Sequence, residues 1–534
     1  MYSEGAGIAR VVPRGVVVPR SAEEVAEVVR WAGETGTPLV PRGSGSGMAG
    51  GAVGDGVIVD VSRLSAIGAI DVARRRVVVG PGALRDAVDR AARAHRLRVP
   101  VDPSSGAFCT MGGMAATNAA GAHTLRYGPM RRWVSALECV FDDGTRATVR
   151  RGAPPPREVA AVRRFLDGVG RAAADDPPEM LGHPGVRKNS SGYALDAYCR
   201  DGELVELLVG SEGTLAIFVG VELELLPLPA ATSSVLAEFP ALEGAVAAAG
   251  RARDTGASAC ELLDRTFLDV ASEGVLAVDV SPAADAVLLM EVEGSDGADA
   301  ATQAGALERA CLEAGASRVR VALDAVTEHA LWSLRHAASP ILARLDPVLK
   351  SMQFIEDGAV PPAKLPEYVR GVRAALAARG VRGVIFGHAG DAHVHVNPLV
   401  DVSRPDWRDR VAALLDDVVA LTARLGGTLS GEHGDGRLRA PLMARVWPPG
   451  ALERFAEVKA AFDPCGILNP GVKLPLAGQH ALGEIKYDPA LPALPASARS
   501  ALDRIERERA YGESRVELLA STAALPDCDR PPSD

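Results

Sequence analysis

Four of the ten histidines fall in two short islands. The first, Gly387 to Pro398, reads GHAGDAHVHVNP, and the second, Ser430 to Gly436, reads SGEHGDG. Each surrounds its histidines with glycine and an aspartate, and glycine lets the backbone turn sharply and gather side chains at one point. Imidazole nitrogens from His388 and His395 with a carboxylate from Glu432 would make a three-donor set with one position open. A catalytic Zn2+-type site requires that arrangement. His433 would stand beside the metal, free to move a proton. The spacing works against this reading. His388 and His395 are seven apart, beyond the about three to five of a helical zinc motif, and in an unbroken strand they would point to opposite faces. Spacing alone favours histidines with structural partners. A turn at Gly390–Asp391 would reverse that, placing one histidine on each side of it.

Three small-residue segments bear on what such a site would act with. Residues 41–52 read PRGSGSGMAGGA, with glycines at Gly43, Gly45, Gly47, Gly50 and Gly51. A helix is predicted before them: Ser21 caps it, Glu24 completes a capping box, Val25, Val28, Val29 and Ala32 recur on one face, and Gly36 ends it. Val57–Val61 (VIVDV) follows as a buried strand. A loop so poor in side chains presents successive backbone N–H groups, which hold phosphate oxygens. The run matches neither G-x-G-x-x-G before a helix nor a lysine-containing phosphate loop, and a flexible surface loop would read the same way. Two more segments tip the balance: residues 103–128, PSSGAFCTMGGMAATNAAGAHTLRYG, and Gly210 to Phe218, GSEGTLAIF. Together they suggest one large, flat ligand pressed against backbone, and a dinucleotide has that shape.

With these motifs in place, the chain resembles the FAD-linked 2-hydroxy-acid dehydrogenases of the vanillyl-alcohol-oxidase/PCMH superfamily. Members include D-lactate dehydrogenase, the FAD subunit of glycolate oxidase and D-2-hydroxyglutarate dehydrogenase. The resemblance runs from about Val12 to Leu474 and adds RKNSSGY (Arg187–Tyr193) and FDPCGILNPG (Phe462–Gly471) to the segments above, all in the family's order. It implies an α+β fold: a PCMH-type FAD-binding lobe of two subdomains, and an α+β substrate lobe whose C-terminal segment returns to the flavin.

The resemblance implies non-covalent FAD. Arg42, Gly43, Ser44, Gly45, Ser46 and Gly47 would wrap the pyrophosphate. Pro103, Ser104, Gly112, Gly113, Thr117 and Asn118 would line the flavin, with Gly121 in close approach. Glu212, Gly213 and Ile217 would lie along the adenosine side, and Asn469 would touch the flavin from the far end of the chain. The resemblance assigns His388, His395 and Glu432 to a divalent metal, with Zn2+ foremost, and His433 to the base. Arg335, Ser339, Lys350 and Asn397 would hold the substrate, and arginine's planar fork suits its carboxylate. The implied reaction converts a D-2-hydroxy acid of the D-lactate, glycolate or D-2-hydroxyglutarate type to the 2-oxo acid. The metal would orient and acidify the hydroxyl, His433 would take its proton, and the Cα hydride would pass to flavin N5. His393 departs from the pattern, standing where many relatives carry the asparagine of Gly-Asp-Gly-Asn. Ser190 and Ser191 stand where relatives often have Asn and Thr. His123 and Cys109 stay unassigned.

Electrons must then leave. The seven cysteines are dispersed with no C-x-x-C, which argues against an iron–sulfur cluster in this chain. The expected acceptor is external: an iron–sulfur subunit, a flavoprotein, a cytochrome or a quinone-linked protein, with oxygen left open. A net charge of −10 argues against nucleic acid as a partner. No apolar run is long enough to span a bilayer. Dispersed cysteines without a secretory signal point to the cytoplasm, peripheral attachment at the inner membrane through a partner being allowed and a homodimer open. The expected domains are an FAD-binding domain at 1–230, a substrate and metal domain at 231–475, and a linker with a charged helical tail at 476–534. Pro227 and Pro229 would mark a hinge, and Val287–Gly294 and Val381–Gly390 would be strands. The charged helix Ser497–Leu519 would pack on its own chain or dock the electron acceptor. Two rivals stand beside this reading. An oxygen-using FAD oxidase of a sugar or aromatic alcohol leaves the histidine islands without purpose, and a zinc hydrolase leaves the glycine segments unused.

Overall fold

The helix signalled at Ser21 forms as Ala22–Thr35. Ser21 Oγ accepts from the Glu24 amide at 3.3 Å, and Gly36 closes the helix with φ 65°. Val25, Ala26, Val29 and Ala32 turn inward onto a three-stranded parallel sheet of Gly15–Val17, Val57–Asp60 and Leu39–Arg42. This computed structural model describes residues 1–272, 278–342 and 348–512, and only the backbone between 336 and 342.

A second sheet is antiparallel, in the order Arg76–Val79, Ile217–Glu224, Val134–Val140 and Arg146–Arg150. Val77, Val79, Leu137, Val221 and Leu223 pack there with the glycine-rich helix Met111–Thr117.

The third sheet is antiparallel and eight-stranded. Its path runs Arg318–Ala322, Ala231–Phe239, Ala286–Gly294, Ala259–Asp264, Arg382–Gly387, His393–Asp401 and Leu349–Ser351, with Gly358–Ala359 paired to the strand from His393. Its central strands are nearly continuous apolar runs because both faces are covered. Leu242–Asp254 and Gly297–Glu313 pack on one face, and Arg265–Ser272 with Leu331 and Leu334 on the other.

The chain then returns to the first half. Phe455 and Phe462 of helix Pro449–Phe462 are buried in the core beneath the second sheet, where Phe462 stacks on Phe141. Leu39 donates to Ile467 and Asn469 donates back to Leu39, so this segment extends the parallel sheet. Pro227, the expected hinge position, lies in a short antiparallel ladder, Leu226–Pro227 on Leu97–Arg98. A two-residue edge tolerates a proline's missing N–H. The tail helix runs Ala496–Glu508 and is closed by Arg509 at φ 54°, short of the expected end at Leu519; residues 513–519 lie outside the described residues. No described helix is long and apolar enough to cross a membrane.

Candidate active site

The two histidine islands meet because the first contains a tight turn. Arg382–Gly387 runs into His388, Ala389–Asp391 makes one 3-10 turn, Ala392 takes φ 55°, and His393–Asp401 returns with His395 paired to Phe386. The opposite-face objection therefore does not apply. Gly390 is required beneath the turn, where a Cβ would fall 2.6 Å from Leu125 Cδ2 and 3.1 Å from Cys260 Cβ. The second island is pinned by one buried carboxylate: Asp357 accepts the amides of Glu432 and His433.

His388 Nε2 and His395 Nε2 approach the same oxygen, Glu432 Oε1, at 3.2 and 3.3 Å. Behind them, His388 Nδ1 lies 2.6 Å from Glu261 Oε1, and His395 Nδ1 lies 2.9 Å from the Glu356 carbonyl. Metal-binding histidines are fixed through the far nitrogen in this way, leaving the near lone pair for the ion. The donor set thus fits a divalent cation. Glu261 is shared, since its Oε2 accepts from Arg335 Nε at 2.6 Å. Lys188, fully buried, reaches Glu432 Oε2 at 3.0 Å and the Gly121 carbonyl at 3.2 Å. His433 stacks on His395 at 5.2 Å, with Nε2 3.6 Å from Glu432 Oε1 and Nδ1 3.4 Å from Glu356 Oε1.

Burial opposes charge on all these groups, and their partners decide the outcome. Glu432 is held well below the ordinary carboxylate range, against burial, by Lys188 and His388. Glu356 is held at about 2, against burial, by Arg439 and His433. Burial would lower the His433 pKa, but Asp357, Glu356 and Glu432 raise it to about 9. His388 is likewise raised to about 9, against burial, chiefly by Glu261. Burial wins at His393 and pushes it down to about 3.

A cavity of about 1320 Å³ joins this cluster to the glycine segments. One wall is the loop from Gly43 to Gly47, where a Cβ on Gly47 would meet nothing within 4 Å. Pro103, Ser104, Gly112, Gly113, Thr117 and Gly121 form the next wall, and Glu212, Gly213 and Ile217 a third. A Cβ on Gly112 would fall 2.5 Å from Pro81 Cβ, and one on Gly121 2.5 Å from the Asp102 carbonyl oxygen. Such a cradle, largely of backbone, suits a flat cofactor. Arg335, Lys350 and Asn397 line the far end with His388, His395, Glu432 and His433.

Several expected contacts are placed differently. Asn118 does not line the cavity: it sits at φ 53°, and its Oδ1 accepts from the Arg131 amide at 2.9 Å. Asn469 also braces the wall from behind, donating to the Gly51 and Glu212 carbonyls at 3.0 and 2.8 Å. Arg42 borders the cavity, but its guanidinium donates to the carbonyls of Tyr2, Glu4 and Ala52. Glu212 caps the second island, accepting from the Asp435 and Gly436 amides. The Ser339 side chain lies outside the described residues.

Sequence reasoning missed Glu261, Glu356, Asp357 and Lys188. The signal was there: an acid inside an apolar strand (Glu261 in ACELLD) needs a buried partner. His123, also unassigned, joins the two halves, with Nδ1 2.5 Å from Asp102 Oδ2 and Nε2 2.8 Å from Glu291 Oε1. The tail helix packs on its own chain, with Arg499, Glu506 and Arg507 bordering the cavity.

Gly436, at φ 52°, lets the second island touch the glycine loop, for a Cβ there would fall 1.9 Å from the Ala49 carbonyl oxygen. Gly436→Ala is expected to cost about 1–3 kcal/mol by overpacking and to lower FAD occupancy. Thermal unfolding with the 450 nm to 280 nm absorbance ratio checks both.

Residues 13–150 match the family described as FAD binding domain, and residues 228–472 match that described as FAD linked oxidases, C-terminal domain. Glycolate oxidase subunit GlcD of Escherichia coli (strain K12) is 30% identical over 479 residues, covering 88% of this chain and 86% of the relative. D-lactate dehydrogenase of Archaeoglobus fulgidus is 30% identical over 462 residues, covering 85% and 90%. D-2-hydroxyglutarate dehydrogenase of Escherichia coli (strain K12) is 29% identical over 505 residues, covering 89% of this chain and 49% of the relative. In structure, 4-ethylphenol oxidase from Gulosibacter chungangensis is similar with a TM-score of 0.64 at 16% identity, covering 87% of this chain and 90% of that one.

Proposed function

We propose, on the footing that this chain belongs to the FAD-linked oxidase family and is an FAD-linked oxidoreductase, that it oxidises a D-2-hydroxy acid to the 2-oxo acid with the help of a divalent metal. One observation carries the reading: His388 Nε2 and His395 Nε2 converge on Glu432 Oε1, inside the cavity that the glycine segments line. A metal-free alcohol oxidation has no need of that convergence.

Bound FAD supplies two-electron redox capacity. A divalent ion at His388, His395 and Glu432, with Zn2+ the first candidate, supplies a Lewis acid. The chain's own residues do the rest. Arg335 is anchored by Nε to Glu261, so its outer nitrogens are oriented to fork the substrate carboxylate, with Lys350 adding charge and Asn397 a further polar contact. His433 Nε2 takes the hydroxyl proton, because Nδ1 is turned toward Glu356. The surrounding carboxylates stabilise the imidazolium, which makes His433 a strong base. Electrons then pass to an external acceptor.

Anaerobic addition of 2-hydroxy acids to the purified flavoprotein tests the reading. Bleaching of the flavin band by D-lactate, glycolate or D-2-hydroxyglutarate, lost on chelation, is the expected result. Bleaching only by sugars or aromatic alcohols, insensitive to chelation, overturns the substrate class. Arg335→Lys keeps the charge but loses the fork. Losing one charged hydrogen bond, about 1.5–3 kcal/mol, raises KM for the acid roughly 10- to 100-fold in steady-state assays while the flavin spectrum persists.

A further inference from the structure

His393 differs from the other island histidines in what its two nitrogens do. Its ring is fully buried. Nε2 lies 2.8 Å from Asp357 Oδ1. Asp357 also accepts from the Glu432 and His433 amides and pairs with Arg439, so it is an ionised acceptor and the proton on this contact belongs to Nε2. Nδ1 must then carry the bare lone pair. It is buried and has no hydrogen-bond partner. Buried imidazole acceptors are rarely left so, because no water can reach them.

That lone pair sits among the metal donors. Nδ1 is 4.0 Å from Glu432 Oε2, and donor atoms of His388, His393, His395 and Glu432 all lie within 4.8 Å of one another. Two nitrogen or oxygen donors on one ion, each at about 2.0–2.2 Å, are separated by up to about 4.4 Å, so small adjustments suffice. The ring also has dedicated room. Gly431 lies against it, and a Cβ there would fall 2.7 Å from both Cδ2 and Nε2 of His393. The carboxylate behind the far nitrogen is the orienting partner that ligating histidines use.

We infer that His393 is a fourth protein donor through Nδ1, so that the centre offers three imidazoles and one carboxylate rather than two imidazoles and one carboxylate. The inference rests on the metal-assisted reading above and sharpens which ion the site takes. Four protein donors complete a tetrahedral Zn2+ shell and leave no position for substrate. An ion that accepts five or six ligands, such as Mn2+, Fe2+ or Co2+, keeps positions for the substrate's hydroxyl and carboxylate oxygens.

The test is structural and thermodynamic, on the full-length holoprotein. Crystals loaded in turn with Mn2+, Co2+ and Zn2+ are measured at each metal's absorption edge. The expected result is an anomalous peak at bonding distance from four side chains, including His393 Nδ1. In parallel, competition with a chromophoric chelator compares the wild type with His393→Asn and His393→Gln, which retain a donor for Asp357. Both variants are expected to bind Mn2+ or Co2+ at least 10- to 100-fold more weakly, the range for loss of even an indirect partner. A metal peak on His388, His395 and Glu432 alone, with unchanged affinity in a folded variant, overturns the inference and leaves metal-assisted oxidation standing. No metal uptake with any ion overturns both. The wild-type peak decides the matter even if neither variant folds.

Discussion

His433→Gln is expected to leave FAD bound and the protein folded while slowing flavin bleaching by the 2-hydroxy acid about 10²- to 10⁴-fold, the usual contribution of a positioned base. The ring is 26% exposed, toward the cavity, and stacks on His395. It supports neither core, so its loss removes chemistry rather than structure. Its environment also sets a pH signature. Against burial, Asp357, Glu356 and Glu432 raise its pKa to about 9, and a dication at the neighbouring donors moves that value down again. A base must be neutral to accept a proton, so bleaching by the wild type falls as pH falls through the His433 pKa, and the variant loses that limb. Stopped-flow reduction across pH reads both effects. A variant that bleaches at the wild-type rate with the same profile assigns the base elsewhere.

Removing the metal should be as severe. Dialysis against a strong chelator, or Glu432→Gln, is expected to lower turnover by at least 10²-fold with the flavin absorbance intact, because none of the glycine segments depends on the ion. Glu432 is the oxygen on which both Nε2 atoms converge, and an amide there keeps the volume but loses the charge. Reconstitution also carries a proton count. His388 is raised to about 9 in the metal-free arrangement, against burial and chiefly by Glu261. It must release the Nε2 proton before it can ligate. Metal uptake near neutral pH should therefore acidify a weakly buffered solution and weaken as pH falls. Full turnover after exhaustive chelation, with metal content verified by elemental analysis, would leave the histidine islands a structural role only.

The parts legible in the sequence are those set by neighbouring residues. The helix after Ser21 appears where its cap and its apolar face predict, because capping and amphipathicity are local. The same holds for strand Val57–Asp60, whereas the turn at Ala389–Asp391 shows only in the structure, the histidine spacing alone pointing the other way. Motif order also carried the cofactor class, since a backbone cradle has to be written as glycine. The ladder at Leu226–Pro227 is not legible from the residues around it, because its partner, Leu97–Arg98, lies far away in the chain. The side-chain partners of Asn118 and Asn469, the Arg131 amide and the Gly51 and Glu212 carbonyls, are not legible because they lie well away in the chain.

What the sequence by itself determined was the inventory: glycine segments able to hold a flat cofactor, two histidine islands of which the second carries a glutamate, and one histidine, His393, in an unusual place. Tertiary structure decided how these residues are used. It brought Glu261, Glu356, Asp357 and Lys188 behind the site from three separate stretches of chain, satisfying the far nitrogens and setting the sign of each charge. It also left the His393 Nδ1 lone pair, beside the Glu432 carboxylate, without a hydrogen-bond partner. The physical reason is that hydrogen-bond satisfaction and desolvation are properties of a closed interior. A side chain's protonation and the direction of its free lone pair exist only once residues distant in sequence have shut water out.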